Sequence, residues 1–599
     1  MIFEDVLQEV DGFGRYQILV FLMLCIPRLM IPMHFLLHNF ISASPSHHCV
    51  LPAFAGTSNL SQDEVFSIGL PREPDGTLSP CKMFSRPQSQ LLANSSWELD
   101  NASSILSCQH GWVYDSSQYA STTATEWDLV CEKKGLNQAI ATFFFIGVTL
   151  GSVLFGYLSD RFGRRRMLLL SFLSTMIFGV LAAFSESYLM FIIMRSLCGM
   201  GLTGVSIISL ILAVEWTDIK HRTFCGTISG ISWSLGYMLL ALVAYLIRTW
   251  RWLLLAVTSP CLLSIVIWWW LPESARWLLT KKEVEAAHGY LSRCAKVNGK
   301  KEFDSKITPD VSARGLAAPQ VLRRTLTMEE SRTYFYWDLV KTPKLRKTTL
   351  CSVVVWFGVA FTYYGISLNI SGFSLDPYMT HFIFGAIEIP AKVSVYVVLD
   401  RIGRRHCQAW TLIGTGGMIA LNAAIPAEHG HLRSAVAILG KGFSEASFTT
   451  VFLYTAELFP TVVRQSGVGC CSFIARLASS IAPLIMLLDD TWRYLPPLIF
   501  SVMALVSGTV AFLLTETTNI QLPETIEDVE DGRNKKALGT QVHGQGMDGA
   551  IPLGLMSQTG TDSPLSQQQE ASSECNGKQH CNKTLLANGM DAAGCSGKV

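Results

Sequence analysis

The chain has 599 residues, enough for roughly four soluble domains by length, yet 49% are hydrophobic and only 16% are charged. Soluble chains average about 25% charged residues, and the apolar residues here fall in long blocks that a bilayer can cover and a soluble core cannot. A formal net charge of +1 supplies no field for a polyanion, which argues against nucleic acid as a partner.

In chain order, residues 1–15 carry acids and glycines rather than the basic start and short apolar core of a secretory signal, and read as a cytoplasmic N-terminus. The run over 16–40 is long enough for a retained span. Apolar runs of roughly 20 residues follow over 137–157, 167–185, 188–212, 223–247 and 253–271. Six more lie over 348–370, 377–399, 408–426, 432–455, 466–488 and 495–514. The expected fold is an all-α membrane protein of twelve transmembrane helices in two six-helix bundles, 16–271 and 348–515. Residues 272–347, polar and basic, read as a cytoplasmic linker, and 516–599, rich in Gly, Ser, Gln and Asn, as a disordered cytoplasmic tail.

Basic loops orient the spans. Arg161, Arg164, Arg165 and Arg166 follow the second span, and Arg401, Arg404 and Arg405 follow the eighth, so both loops are expected inside, with both termini. The stretch over 43–136 is then extracellular. It holds Cys49, Cys81, Cys108 and Cys131, an even set suited to two disulfides of unassigned pairing. Three glycosylation sequons, at Asn59, Asn94 and Asn101, share that loop.

The two bundles repeat each other. Asp160-Arg161-Phe162-Gly163-Arg164-Arg165 matches Asp400-Arg401-Ile402-Gly403-Arg404-Arg405, Glu215 with Arg222 matches Glu457 with Arg464, and Glu273 matches Glu516. Three motifs at nearly one offset mark an internal repeat. These charges sit at cytoplasmic span ends, where acid–arginine pairs are expected to latch the two halves and to break when the inside opens. Simple positive-inside anchoring is the alternative, but it needs no matched acids or glycines.

These loops, the segment from Glu457 to Gly467 and the run from Pro272 to Leu278 resemble the organic anion and cation transporter branch of the major facilitator superfamily (solute carrier family 22), as does the large cysteine-bearing first outer loop. Pro27-Arg28, Pro32 to Leu37, Leu70 to Ser79 and Glu126 to Cys131 resemble the organic anion carriers of liver and kidney within it. Thr515 stands where the family's second Leu-Pro-Glu-Thr motif has proline. The resemblance implies a polyspecific, sodium-independent carrier working by alternating access in the plasma membrane, on the basolateral side of epithelial cells. Implied substrates are orotate, cyclic GMP and other nucleobase-type compounds, prostaglandins and salicylate, with a dicarboxylate or glutamate as counter-ion. No cofactor or metal is expected.

Ionisable residues inside spans usually line a polar path. Glu388 and Lys392 lie four apart in the eighth span, as do Lys441 and Glu445 in the tenth, so each couple can pair locally. Arg28, Arg195 and Arg476 have no acid within four residues, which leaves surplus positive charge and favours an anionic ligand. Arg476, near mid-span, is the leading substrate residue, because a guanidinium offers a carboxylate two parallel hydrogen bonds; the family places arginine here in anion carriers. Lys392 matches the family's eighth-span cation and either meets substrate or is held by Glu388. Arg28 either lines the pocket or is structural, while glycines beside Arg195 favour a packing role there. Tyr363, Tyr364, Trp233, Tyr237, Phe448 and Phe452 match aromatic positions that line the family's pocket and suit flat anions. A carrier of organic cations or carnitine is the alternative function, and a non-transporting receptor or scaffold a third. No phosphate loop, nucleophile elbow or zinc-helix motif marks an enzyme.

Overall fold

A computed structural model describes residues 6–8, 10–51, 61–73, 76–86, 104–300, 336–369, 375–426, 428–518, 523 and 525–531. Each expected span is a helix. Helix α1 covers Arg15–Leu36, α2 Lys134–Phe162, α3 Arg164–Ala183, α4 Tyr188–Glu215 and α5 Ile219–Leu246. Helix α6 is interrupted before Pro260, as Trp250–Thr258 and Pro260–Trp268. In the second half, α7 is Pro343–Ser367, α8 Pro377–Ile402, α9 Arg404–Ala424, α10 Gly430–Leu458, α11 Arg464–Ile485 and α12 Leu495–Ala511.

Nine of these are long and apolar enough to cross a bilayer; α9, α10 and α12 are the exceptions. Helix α9 opens on Arg404, Arg405 and His406, α10 carries Lys441 and Glu445, and α12 has only 17 residues. Outward-facing apolar side chains such as Leu150, Val153, Leu246, Val266 and Leu513 remain more than half exposed, which is tolerable where lipid is the solvent.

The segment between α1 and α2 is tied by two disulfides, Cys49–Cys108 and Cys81–Cys131. Strand β1 (His47–Cys49) pairs antiparallel with β4 (Trp112–Tyr114), and β2 (Lys82–Phe84) with β3 (Ile105–Ser107). Asn59, Asn94 and Asn101 lie outside the described residues. This end of the molecule is called the disulfide face below, and the opposite end, where α2 meets α3 and α8 meets α9, the arginine-loop face.

Two expectations need correction. The linker does not start as plain polar chain: helices Ala275–Thr280 and Val284–Val297 follow α6. Asn298 then binds the N-terminal segment, accepting from the Tyr16 N–H at 2.8 Å and donating to the Val10 carbonyl at 2.7 Å. Nor is the tail uniformly without structure. Ile526–Asp531 is helical, with Thr525 and Asp528 exchanging hydrogen bonds at its start. Its Glu530 carboxylate accepts the Lys344 and Leu345 N–H groups at 2.8 and 3.1 Å, and so caps the N-terminus of α7. Composition over the whole tail hid this acidic turn. Residues 532–599 lie outside the described residues.

Candidate substrate site

The repeated charges form one cluster in each half. In the first, Arg164 bonds Asp160 at 2.7 Å and Glu215 at 3.2 Å, while Glu273 accepts the N–H groups of Arg164 and Arg165 at 2.9 and 3.1 Å. In the second, Arg404 bonds Asp400 at 2.9 Å and Glu457 at 3.1 Å, and Glu516 accepts from the N–H groups of Arg404 and Arg405 at 2.9 and 3.1 Å. Each glutamate therefore caps the helix that follows the basic loop. The loop glycines explain why a side chain is excluded there. Gly163 and Gly403 have φ of 103° and 93°, and a Cβ on either would lie 2.7 Å from the capping carboxylate.

Among the described residues these acid–arginine pairs close within a half, between neighbouring helices of one bundle; the expected latch between the halves belongs to a form closed at the arginine-loop face. The Nε atoms of Arg222 and Arg464 donate to main-chain carbonyls five residues back, on Thr217 and Phe459, both at 3.2 Å. The capping acids differ in environment. Burial pushes the Glu273 carboxyl above the usual range despite the N–H groups of Ser274, Arg165 and Arg164. At Glu516 burial is outweighed by bonds from Thr518, Arg404 and Thr517, which hold the carboxyl below that range.

The halves meet elsewhere. Near the disulfide face, Lys134 of α2 bonds Asp490 at 2.6 Å, and the Tyr378 hydroxyl donates to the Gln118 carbonyl at 3.0 Å. Phe40 stacks on Tyr378 at 5.3 Å, and Asn39 donates to the Ser367 carbonyl at 2.8 Å. Closer to mid-depth, Tyr237 of α5 packs on His381 of α8 at 4.3 Å. Together these contacts close the disulfide face.

Beneath that closure lies a four-member ionic cluster on α8 and α10. Lys392 Nζ is 3.1 Å from Glu388 and 2.8 Å from Glu445, and Lys441 Nζ is 3.0 Å from Glu388. The expected local pair of Lys441 with Glu445 is thus replaced by pairs across helices. A side chain four residues away is near in any helix, but packing of α8 on α10 brings a better-placed partner. All four residues are buried, where an unpaired charge is far costlier than on a surface. Tyr363 donates to Glu388 at 2.6 Å and Ser234 of α5 donates to it at 2.8 Å, while Lys392 donates to Ser234 at 2.7 Å. The Lys441 ammonium sits 3.4 Å from the centre of the Tyr363 ring and donates to the Ser367 hydroxyl at 2.8 Å.

These bonds set the surroundings of several expected site residues. Lys392, bridged by two carboxylates, is not a free cation. Buried Tyr363 is hydrogen-bonded into the ionic cluster, and the ring of buried Tyr237 lies 5.3 Å from the Lys441 ammonium. Trp233 donates to the Tyr363 hydroxyl at 3.1 Å, and its ring meets Phe35. Tyr364 packs against Phe145 at 4.8 Å and Phe35 at 6.4 Å. Phe448 lies against Tyr363, and Phe452, 42% exposed, stands edge-on to Trp356.

The arginines separate cleanly. Arg195 donates to the His34 carbonyl at 2.9 Å and lies 4.4 Å over the Phe144 ring, so it is structural. Arg476 is only part-buried, and among the described residues Tyr364 is the ionisable group that acts on it and no carboxylate pairs with it. Among the described residues Arg28 likewise has no acid beside it. At mid-depth a part-open, unneutralised guanidinium next to an aromatic wall can bind a carboxylate or phosphate strongly. A search limited to ionised and aromatic side chains overlooks Ser234, Ser367, Asn39 and His381; the polar residues among apolar neighbours were the available signal.

Comparison with known proteins places this architecture. The sugar (and other) transporter family profile matches residues 103–528. Solute carrier family 22 member 7 of Sus scrofa is 48% identical over 540 residues, covering 88% of this chain and 96% of that protein. The Homo sapiens member 7 is also 48% identical, over 539 residues. Solute carrier family 22 member 6-B of Xenopus laevis is 38% identical over 530 residues, covering 88% of this chain and 95% of its own. Among solved structures, the inward-open xylose transporter XylE from E. coli superposes with a TM-score of 0.55 at 17% identity, covering 86% of this chain and 99% of that one.

Proposed function

The chain belongs to solute carrier family 22 within the major facilitator superfamily, and from that premise we propose that it carries small organic anions across the plasma membrane by alternating access. Two six-helix bundles rock about a mid-depth site. The disulfide loop faces outward and the arginine loops and both termini face the cytoplasm, so the closed disulfide face corresponds to an inward-facing form. Each within-half charge cluster keeps its bundle rigid as it rocks.

Arg476 carries this reading: it is an uncompensated guanidinium at mid-membrane, part-open and beside Tyr364. Tyr364, Phe448 and Phe452 supply aromatic surface for flat anions such as orotate, cyclic GMP, salicylate or prostaglandins, and exchange against a dicarboxylate or glutamate completes the cycle. Lys392 acts indirectly, by holding Glu388 and Glu445.

The test is uptake of labelled orotate, cyclic GMP and a quaternary ammonium compound by cells expressing the wild type or Arg476→Ala. Anions should enter wild-type cells and the cation should not. Arg476→Ala should lower anion kcat/KM by at least about tenfold, the worth of a charged hydrogen bond. Cation uptake without anion uptake would refute the function. Anion uptake that survives Arg476→Ala with unchanged affinity would refute the residue.

A further inference from the structure

Resting on the anion-carrier reading, the geometry points to Arg28 as a second anion-binding group, supplied by the N-terminal half, that makes the site select dianions over monoanions. Three observations carry this. The first is an unmet bonding need. Nε and Nη1 of Arg28 are shut off from solvent and have no hydrogen-bond partner among the described residues. The residue as a whole is only part-buried, and among the described residues Cys25 is the ionisable group that acts on it. Burying guanidinium donors without partners is costly, and an arriving anion would relieve that cost.

Arg195 is the internal control. It occupies the same half of the protein and lacks a carboxylate in the same way, yet the His34 carbonyl, the His34 ring and the Phe144 face satisfy it. A structural arginine in this fold therefore finds protein partners. Arg28 has not.

Placement is the third observation. Phe35 lies seven residues beyond Arg28, close to two full helical turns, so both lie on one side of α1. Phe35 packs against Trp233 and Tyr364, and Tyr364 is the electrostatic neighbour of Arg476. Arg28 stands thirteen residues in from Arg15 at the start of α1, about 20 Å along the axis, and Arg476 twelve from Arg464 at the start of α11, about 18 Å. Both helices start at the arginine-loop face. The two uncompensated guanidinium groups thus stand at similar depth, one in each half. A ligand with two negative groups can engage both; a monoanion can engage one at a time.

The experiment measures uptake of labelled glutarate, a dianion, and salicylate, a monoanion, by cells expressing the full chain. Arg28→Gln should raise KM for glutarate about tenfold or more and leave KM for salicylate within about twofold. Arg28→Lys, which keeps the charge but loses the planar fork, should raise the glutarate KM severalfold, and it decides the matter by the same ratio if Arg28→Gln fails to reach the membrane. An unchanged ratio of the two KM values overturns the assignment, whether both stay constant or both rise together. Wild-type uptake of salicylate without glutarate also overturns it while leaving the anion-carrier reading intact. Wild-type uptake of neither anion would remove that reading itself.

Discussion

The two halves carry the same charges at the arginine-loop face and different ones at mid-depth. Arg164, Asp160, Glu215 and Glu273 match Arg404, Asp400, Glu457 and Glu516 contact for contact. The ionic cluster on α8 and α10 has no such counterpart. At the offsets of 240 and 242 that align the loop motifs, Glu388, Lys392, Lys441 and Glu445 fall on Val148, Ser152, Gly199 and Thr203. Features present in both halves serve what both must do, which is to move as rigid bundles. Those in one half only serve what is not symmetric, and a small organic ligand is not.

The largest test of this asymmetry is Glu388→Gln. Lys441 is fully buried and, among the described residues, forms its close ion pair with Glu388, so removing that charge leaves a buried ammonium without its ion-pair partner. Breaking a buried pair from one side costs about 3–5 kcal/mol, a large share of a marginal total stability. Purified Glu388→Gln protein should lose most of its monodisperse peak on size-exclusion chromatography in detergent, and adding Lys441→Met should restore it. A matched change in the first half, Thr203→Val, should cost under about 1 kcal/mol because only a hydroxyl bond to the Gly199 carbonyl is lost. If Glu388→Gln is tolerated as well as Thr203→Val, the asymmetry has no energetic content.

Ser234 gives a smaller and sharper test, since its side chain hydrogen-bonds that cluster from the first half. Its hydroxyl bonds Glu388 and Lys392 across the interface, while those two keep each other without it. Ser234→Ala should therefore leave the cluster folded and weaken closure of the disulfide face by about 1 kcal/mol, roughly a fivefold shift in population. The measurement is labelling of a cysteine introduced by Phe40→Cys, buried in the closed face, with an impermeant thiol reagent added from that face. An unchanged labelling rate would mean that Ser234 does not hold the halves together.

What could be read from the sequence follows from the range of the forces involved. The twelve helices were legible because covering some twenty apolar residues is a local matter of composition. The capping glycines and glutamates were legible because the repeat shows them twice. Partner choice was not: Lys392 and Lys441 each had an acid four residues away, and which carboxylate each reaches depends on how α8 packs on α10. The same holds for the matched charges at the basic loops, which were evident where the helix that each arginine reaches was not. The Ile526–Asp531 helix was hidden by averaging over a long polar tail, although its acidic first turn is a local signal.

The smallest predicted effect lies inside the repeat, where two matched acids sit in unlike surroundings. Glu516 is held below the usual carboxylate range, so its ionised form stabilises the fold; that contribution is present above the unfolded value and is lost as pH falls through the folded one. Glu273 is pushed above the range by burial, so its ionised form is the less favoured one, and its contribution is full at acid pH and lost as pH rises through the folded value. At pH 7 the neutral Glu516→Gln should lower stability by about 1 kcal/mol, the usual worth of a helix cap. Glu273→Gln should cost less, because the amide escapes the burial penalty of the charge. Thermal unfolding of the two variants in detergent should show Glu516→Gln as the less stable at pH 7 and the gap narrowing as the pH is lowered towards 4. A gap of the opposite sign at pH 7 would mean that the buried Glu273 carboxylate is better satisfied by its three N–H donors than Glu516 is by its half-buried threonines, and that burial strengthens this cap instead of weakening it.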